Sequence, residues 1–206
     1  MDEVVLVHGL WYRCWSMAWL KRRLQRAGYR VRCFGYPTLA QAPEQSARAL
    51  SDFCARSEAG VMHLVGHSLG GLVILAMLGQ GVYRPTGRLL LLGTPLAGSS
   101  VARRMAAWPG GSRILGQSGD LLAGGAVAAG GAWTCGMIAG TRGIGLGRLS
   151  GVRLGPGDGT VALDETRHQM VSERLELPVS HTGLLVSRAV AEEAAQFLAS
   201  GHFRQL

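Results

Sequence analysis

Short apolar runs alternate along the chain with longer segments in which apolar residues recur every three or four positions. The short runs predict strands that are buried on both faces, as in a parallel sheet. The longer segments predict helices that connect these strands and pack one face against them. The predicted strands cover residues 3–9, 29–37, 61–66, 87–95, 134–140 and 175–181.

Capping and turn residues stand at the ends of the predicted helices. Ser16 is expected to cap the first helix, whose apolar face includes Leu20 and Leu24, and Gly28 is expected to end it. The predicted helices cover residues 17–28, 43–57, 69 to 79 or 81, and 183–199. Strands that alternate with helices at this spacing predict right-handed βαβ units. We therefore expect one α/β domain over residues 1–206, with about six mainly parallel strands and helices on both faces.

One segment interrupts the alternation. Residues 97–131 are rich in alanine and glycine, contain two short helical patterns and have no strand pattern. We expect this segment to be an insertion that lies over the carboxyl edge of the sheet as a cap or lid.

The positive charge of the chain is spread along it. The formal net charge of +8 comes from 20 arginines, one lysine and 13 acidic residues. Only residues 21–32 are densely basic, and they carry no aromatic array that would stack on bases, so we expect no nucleic-acid partner. A solvated helix face explains this stretch, and contact with an anionic membrane or lipid surface is the functional alternative.

The spacing of the cysteines and the sequence of the amino terminus indicate in which cellular compartment the protein is expected. Cys14, Cys33, Cys54 and Cys135 show neither a Cys-x-x-Cys pair nor the spacing of a zinc site. We expect four buried free thiols in a reducing compartment, and no metal site. The first residues lack the features of a signal peptide and no apolar run is long enough to cross a bilayer, so a cytoplasmic location is expected.

A serine lies where the third predicted strand meets the third predicted helix, within "LVGHSLGG". A serine hydroxyl becomes a nucleophile only beside a base, so Ser68 needs a histidine and a carboxylate that orients it. Asp158 in "GPGDGTV" and His181 in "PVSHTG" both follow later strands, at the edge where parallel sheets collect active sites. Asp164 and His168 are the alternatives for these two positions.

Two backbone N–H groups are candidates for binding an oxyanion. Leu69 directly follows Ser68 at a helix N-terminus, and Leu10 lies in "VHGLW" after the first strand. His8 is expected to hold that loop in shape, and His67 is expected to brace the turn at Ser68.

Candidates for an apolar substrate pocket are Trp11, Leu96 and Trp108, together with Tyr12 and some of Leu115, Leu121 and Leu122.

Five motifs in this order, "LVHGLW", "GHSLGG", "LLGTP", "GDGTV" and "SHTGLL", resemble the α/β-hydrolase superfamily, and within it small bacterial lipase-like and esterase-like proteins. The likeness runs from Val4 to Phe197. It implies a minimal α/β-hydrolase fold, and a Ser68, Asp158 and His181 triad with the oxyanion bound by the backbone at positions 10 and 69. It also implies carboxylic-ester hydrolysis without a cofactor.

We therefore expect a serine hydrolase that cleaves an apolar carboxylic ester, as a small molecule or a lipid, through an acyl-enzyme. Acyl transfer or thioester cleavage by the same triad is one alternative. A non-catalytic binding protein, with the basic first helix as its contact surface, is another. The sequence leaves open the physiological ester, its chain length, the choice between esterase and lipase, and the oligomeric state.

Overall fold

A computed structural model describes residues 1–126 and 133–204 and contains a six-stranded sheet in which every pairing is parallel. The strand order is β2-β1-β3-β4-β5-β6. The strands are β1 (Glu3–Val7), β2 (Arg30–Phe34), β3 (Met62–His67), β4 (Leu89–Leu92), β5 (Cys135–Gly140) and β6 (Glu173–Leu177). This sheet confirms the predicted fold class.

The central strands are apolar because both of their faces are covered. Every residue of β1, β3, β4 and β5 is buried, whereas β6, at the edge of the sheet, has a largely half-buried, charged sequence. The one carboxylate inside β1, Glu3, accepts a hydrogen bond from Arg32 of β2 at 2.9 Å and forms a longer ion pair with Arg30 at 3.5 Å. Part of the basic stretch therefore neutralises a buried charge on the neighbouring strand.

Helices cover both faces of the sheet, as predicted. They are α1 (Ala18–Arg26), α2 (Pro43–Ala55), α3 (Leu69–Gly79), α4 (Ser100–Ala106), α5 (Gly111–Leu115), α6 (Gly119–Gly124), α7 (Leu146–Ser150), α8 (Gly183–Val186) and α9 (Arg188–Ser200). The helices α2 and α3 pack together over one apolar core, while α1 and α9 pack together over a second core on the other face. In the part of the chain that the structure describes, no helix has the length and apolar content that crossing a membrane requires.

Two details of the predicted helices are wrong, a cap and an uninterrupted closing helix. Ser16 does not cap the first helix, because it lies within a 3₁₀ turn (Cys14–Met17) and its hydroxyl donates to the carbonyl of Arg13. The predicted closing helix is interrupted at Ser187, whose extended backbone ends α8 and whose hydroxyl accepts from the N–H of Val190 to cap α9. Gly28 lies just beyond the end of α1 with φ +96°, as its predicted role requires.

The prediction of four free thiols is wrong for two of them. Cys14 and Cys33 form a disulfide between the turn after β1 and strand β2, with Cα atoms 5.7 Å apart. Sequence spacing concealed this pair because β1 and β2 become neighbours only in the sheet. Cys54 and Cys135 are free and buried, and burial raises the pKa of each thiol to about 12. The disulfide removes the support that the cysteines gave to a reducing compartment.

The segment that interrupts the alternation forms the short helices α4, α5 and α6 and contains no strand between residues 97 and 126. The last part of the predicted insertion, 127–131, lies outside the described residues. The helix α4 contacts α5, α6 and α7, which places this segment beside the loop that follows β5.

Candidate active site

Ser68 lies on a sharp turn between β3 and α3. Its backbone has φ 52° and ψ −122°, a conformation that a residue with a side chain rarely adopts. The turn is held by a hydrogen bond from the N–H of Ser68 to the carbonyl of Leu92, at 2.9 Å. A Cβ atom at Gly70 would overlap the carbonyl oxygens of Val7 and His8, so only glycine lets α3 start this close to β1.

Asp158 is a buried carboxylate in the loop after β5. Its Oδ1 accepts from the backbone N–H groups of Thr160, at 2.9 Å, and Val161, at 2.7 Å. Its Oδ2 is 2.6 Å from Nδ1 of His181. Burial raises the pKa of Asp158, but the charge and hydrogen bond of His181, together with the two N–H groups, outweigh burial and bring the pKa below its ordinary value. The carboxyl group is therefore ionised at neutral pH.

His181 is held at its backbone and at its ring. Its N–H donates to the carbonyl of Asp158 at 3.0 Å, and its carbonyl accepts from Nε2 of His67 at 3.1 Å. Because Nδ1 faces the carboxylate, Nε2 is the ring nitrogen left for chemistry. Gly93 permits this arrangement because it has φ +57° and its backbone lies close to the Asp158–His181 pair. A Cβ atom on Gly93 would lie 3.0 Å from Oδ2 of Asp158.

His67 braces His181 more directly than it braces the turn at Ser68. It is fully buried, and its Nδ1 has no hydrogen-bond partner among the described residues. Burial, reinforced by the charge of the neighbouring His181, lowers the pKa of His67 to about 3. The ring is therefore neutral and donates through Nε2 to the backbone of His181.

The alternative acid and base lie elsewhere. Asp164 is exposed and pairs with Arg167 at 3.0 Å, while His168 accepts from the N–H of Met170. Neither lines the cavity that holds Ser68 and His181. The structure brings together Ser68, Asp158 and His181, and it does not bring Asp164 or His168 to them.

The loop after β1 presents a backbone N–H group close to Ser68. Leu10, which carries this group, lines the same cavity as Ser68, and neither the N–H of Leu10 nor that of Leu69 has an acceptor among the described residues. Leu69 is the first residue of α3, where the N–H groups have no partner within the helix and the helix dipole is positive.

Three contacts fix the shape of this loop. Trp11, at φ 63°, donates its N–H to the hydroxyl of Thr38 at 3.1 Å. His8 receives the N–H of Tyr36 on Nε2 and donates through Nδ1 to the carbonyl of Gly9 at 3.1 Å. Burial lowers the pKa of His8, so the ring is neutral and supports the loop, which is its predicted role.

Ser68 and His181 open into a cavity of about 320 Å³. Apolar side chains from α4, α5 and α6 form one wall, and the loops after β1 and β5 form the others. The apolar residues of its lining are Leu10, Trp11, Pro95, Val101, Ala102, Met105, Leu115, Leu122, Ile144, Leu146 and Val161, with Tyr12 beside them. No aspartate, glutamate, lysine or arginine is among the described residues that line it.

The predicted substrate-pocket residues divide into two groups. Trp11, Tyr12, Leu115 and Leu122 line the cavity, whereas Leu96, Trp108 and Leu121 pack in or against the core beneath it. Sequence reasoning missed the wall that α4 contributes. The sequence feature that could have indicated this wall is the apolar pattern at positions 101, 102 and 105, which places three side chains on one face of a helix.

A parallel sheet with a serine on a strained strand-to-helix turn and a buried Asp–His pair after later strands defines a hydrolase-type fold. A model of the alpha/beta hydrolase family matches residues 4–199. The chain therefore belongs to the alpha/beta hydrolase family. Within the described residues, no group of three or more His, Cys, Asp or Glu side chains is placed to hold a metal ion.

Solved structures support the same fold. The mature lipase BlEst2 of Bacillus licheniformis is similar with a TM-score of 0.71 and 17% identity, over 97% of this chain and 91% of the lipase. A metagenomic carboxyl esterase, MGS0156, has a TM-score of 0.69 and 15% identity over 97% of this chain and 74% of its own. The pyrethroid hydrolase PytH has a TM-score of 0.66 and 17% identity over 97% and 99%. No curated protein sequence matches the chain.

Proposed function

We propose that the protein is a carboxylic-ester hydrolase in which Ser68 is the nucleophile, His181 the general base and acid, and Asp158 the group that orients His181. The observation that carries this proposal is the 2.6 Å contact between Asp158 and His181, with His181 and Ser68 opening into one cavity. Residues 1–206 act as one hydrolase domain, and the described part of the predicted insertion, 97–126, forms a cap whose helices α4 to α6 wall the substrate cavity.

The reaction forms and then hydrolyses an acyl-enzyme. As Oγ of Ser68 bonds to the ester carbonyl carbon, Nε2 of His181 takes the hydroxyl proton, and the N–H groups of Leu10 and Leu69 bind the oxygen that becomes negative. The carbon–oxygen bond to the alcohol then breaks, and His181 returns the proton to the leaving oxygen. Water, deprotonated by His181, attacks the acyl carbon and releases the acid and the free serine.

The character of the cavity supports an uncharged ester with an apolar acyl group. The charged side chains that would bind a phosphate or carboxylate are absent from the described lining. At about 320 Å³, the cavity is near the small end of the range of roughly 300–1,000 Å³ that is typical of ligand pockets. Similarity to proteins named lipase, carboxyl esterase and pyrethroid hydrolase agrees with this substrate class.

Hydrolysis of a series of p-nitrophenyl esters, from acetate to palmitate, tests the proposal. The wild type should favour short and medium chains, and Ser68→Ala should lose activity on all of them. Ser112→Ala, which changes an exposed serine of α5, is the matched control and should keep wild-type rates. Equal turnover by wild type and Ser68→Ala would contradict the assignment of the nucleophile.

The same assay separates the alternatives. Added alcohols or amines that appear in the product as new esters or amides would indicate acyl transfer, and faster turnover of thioesters than of matched oxygen esters would indicate a thioesterase. A non-catalytic binding protein would hydrolyse none of these substrates and would lose no function on Ser68→Ala.

A further inference from the structure

Exposed apolar side chains are concentrated at one edge of the molecule. Of the eight large apolar side chains that are well exposed in the described part of the chain, six lie on segments that follow the carboxyl ends of strands. We call these six the apolar rim: Trp11, Trp15, Leu39, Ile114, Ile144 and Val186. The other two, Met1 and Val82, precede β1 and follow α3, so they lie away from this edge.

On one side of the cavity, the apolar rim is a connected surface. The indole N–H of Trp11 donates to the carbonyl of Ile114 at 2.9 Å, and the N–H of Gln117 donates to the carbonyl of Leu39 at 2.9 Å. These contacts join the loops after β1, β2 and β4. They place Leu39 and Ile114 next to Trp11, which itself lines the cavity.

On the other side of the cavity, the rim continues through the loops after β5 and β6. Ile144 lines the cavity together with Trp11, and it also shares a shallow surface depression with Val186. Trp15 lies in the 3₁₀ turn that contacts α8, the helix that ends at Val186. The apolar rim therefore lies on both sides of the cavity that holds Ser68.

Arginines stand between the rim residues. Arg13 lies between Trp11 and Trp15 in sequence, Arg113 directly precedes Ile114, and Arg142 lies two residues before Ile144. All three arginines are exposed, and none forms a salt bridge with another described residue.

Acidic residues are scarce on most of the same loops. The exception is the long loop after β5, which carries Asp158, Asp164 and Glu165; of these, Asp164 pairs with Arg167. Residues 8–17, 35–42 and 178–187 contain none, and Asp120 is the only acidic residue of segment 93–126. The surface around the cavity thus combines exposed tryptophans with unpaired positive charge.

We propose that the apolar rim docks on an anionic phospholipid surface, with the cavity opening toward the lipid. Tryptophan side chains favour the membrane–water interface, and exposed arginines are attracted to anionic headgroups. This surface differs from the basic stretch 21–32 that the sequence suggested, where Arg30 and Arg32 bind Glu3 and Arg23 stacks on Trp19. Docking does not depend on the proposed ester chemistry, although it would deliver apolar esters to Ser68 from the lipid.

Vesicle co-sedimentation of the whole chain, residues 1–206, tests the proposal. All variants carry Ser68→Ala, so that no lipid is hydrolysed, and partition is compared between phosphatidylcholine vesicles with and without phosphatidylglycerol. We expect binding to the anionic vesicles, weakened by added salt. Arg13→Ala should lower the partition coefficient about fivefold, and Trp15→Ser about tenfold.

Matched controls change equally exposed residues outside the rim. Val82 is 74% exposed and Trp15 is 73% exposed, so Val82→Ser controls for the loss of an exposed apolar group. Arg56, exposed after α2, controls for the loss of a positive charge through Arg56→Ala. Both controls should partition as the parent does, and thermal melts should show that every variant is folded.

Three results would overturn the proposal. They are a failure to bind either kind of vesicle, equal binding to neutral and anionic vesicles, and equal losses from the rim variants and their controls. The first of these is also the result expected if the rim were a docking surface for another protein. Because ester hydrolysis is measured separately on soluble substrates, a failure of the docking proposal leaves the proposed function untouched.

Discussion

Exchange of Asp158 for asparagine is a sharp test of the proposed triad because the structure dictates how the amide must orient. Oδ1 accepts two backbone N–H bonds, from Thr160 and Val161, so the amide oxygen of Asp158→Asn takes this position. The amide NH₂ group then faces Nδ1 of His181, where the carboxylate oxygen lay at 2.6 Å. Two donors cannot share this contact, so His181 must turn Nδ1 into an acceptor and carry its proton on Nε2.

A proton on Nε2 prevents His181 from accepting the proton of Ser68. The analogous exchange in another Ser–His–Asp triad lowers kcat by about 10⁴-fold with the geometry intact. We expect a similar fall in kcat/KM for p-nitrophenyl butyrate in Asp158→Asn, which corresponds to about 5 kcal/mol of lost transition-state stabilisation. KM should change little, because Asp158 lies outside the cavity lining.

The matched control is Asp164→Asn, which removes the carboxylate of the alternative candidate. Asp164 is exposed and pairs with Arg167, so this variant should retain wild-type kcat/KM. Circular dichroism and thermal melts establish that both variants fold. The assignment of Asp158 is refuted if Asp158→Asn keeps most of its activity, or if Asp164→Asn loses as much activity as Asp158→Asn.

Three further predictions concern stability and specificity. Reduction of the Cys14–Cys33 disulfide, which spans 19 positions, should lower the free energy of unfolding by about 3 kcal/mol, and an unchanged urea midpoint in reductant would contradict this. Met105→Trp fills part of the cavity and should shift ester preference toward acetate, as kcat/KM ratios across the ester series would show; an unchanged profile would place the acyl chain elsewhere. Because His67 has a pKa of about 3 when folded, against an ordinary value of 6.5, its titration should lower the free energy of unfolding by about 1.4 kcal/mol per pH unit as pH falls below 6.5. His67→Gln, which keeps a donor for His181 without titrating in this range, should flatten that slope in urea melts, and an unchanged slope would refute the assignment.

Much of the fold could be predicted because its strands are buried on both faces. A run such as residues 61–66 is largely apolar for that reason, and β3 (Met62–His67) matches it with a shift of one residue. The break at Ser187 was missed because the apolar period continues through it, while the serine cap that causes it is a single local hydrogen bond. The Cys14–Cys33 disulfide was missed because it depends on which strands become neighbours.

The candidate site was predictable to different degrees. Ser68, Asp158 and His181 each follow a strand, and strand order in a parallel sheet brings such positions to one edge. The cavity wall was less predictable, since whether Leu96 and Trp108 face the cavity or the core depends on how α4 to α6 pack. Sequence periodicity shows which residues of these short helices share a face, but it does not show which face meets the cavity.

The proposed mechanism depends most on Ser68 being the nucleophile, and a fluorophosphonate probe tests this directly. The oxygen of an activated serine attacks the phosphorus of the probe and displaces fluoride, and the phosphonyl group remains attached, so peptide mass spectrometry identifies the modified residue. We predict one adduct, on Ser68, that is absent from Ser68→Ala and forms much more slowly in Asp158→Asn. Absence of any adduct on the folded wild type, or an adduct on another residue that persists in Ser68→Ala, would contradict the proposed mechanism.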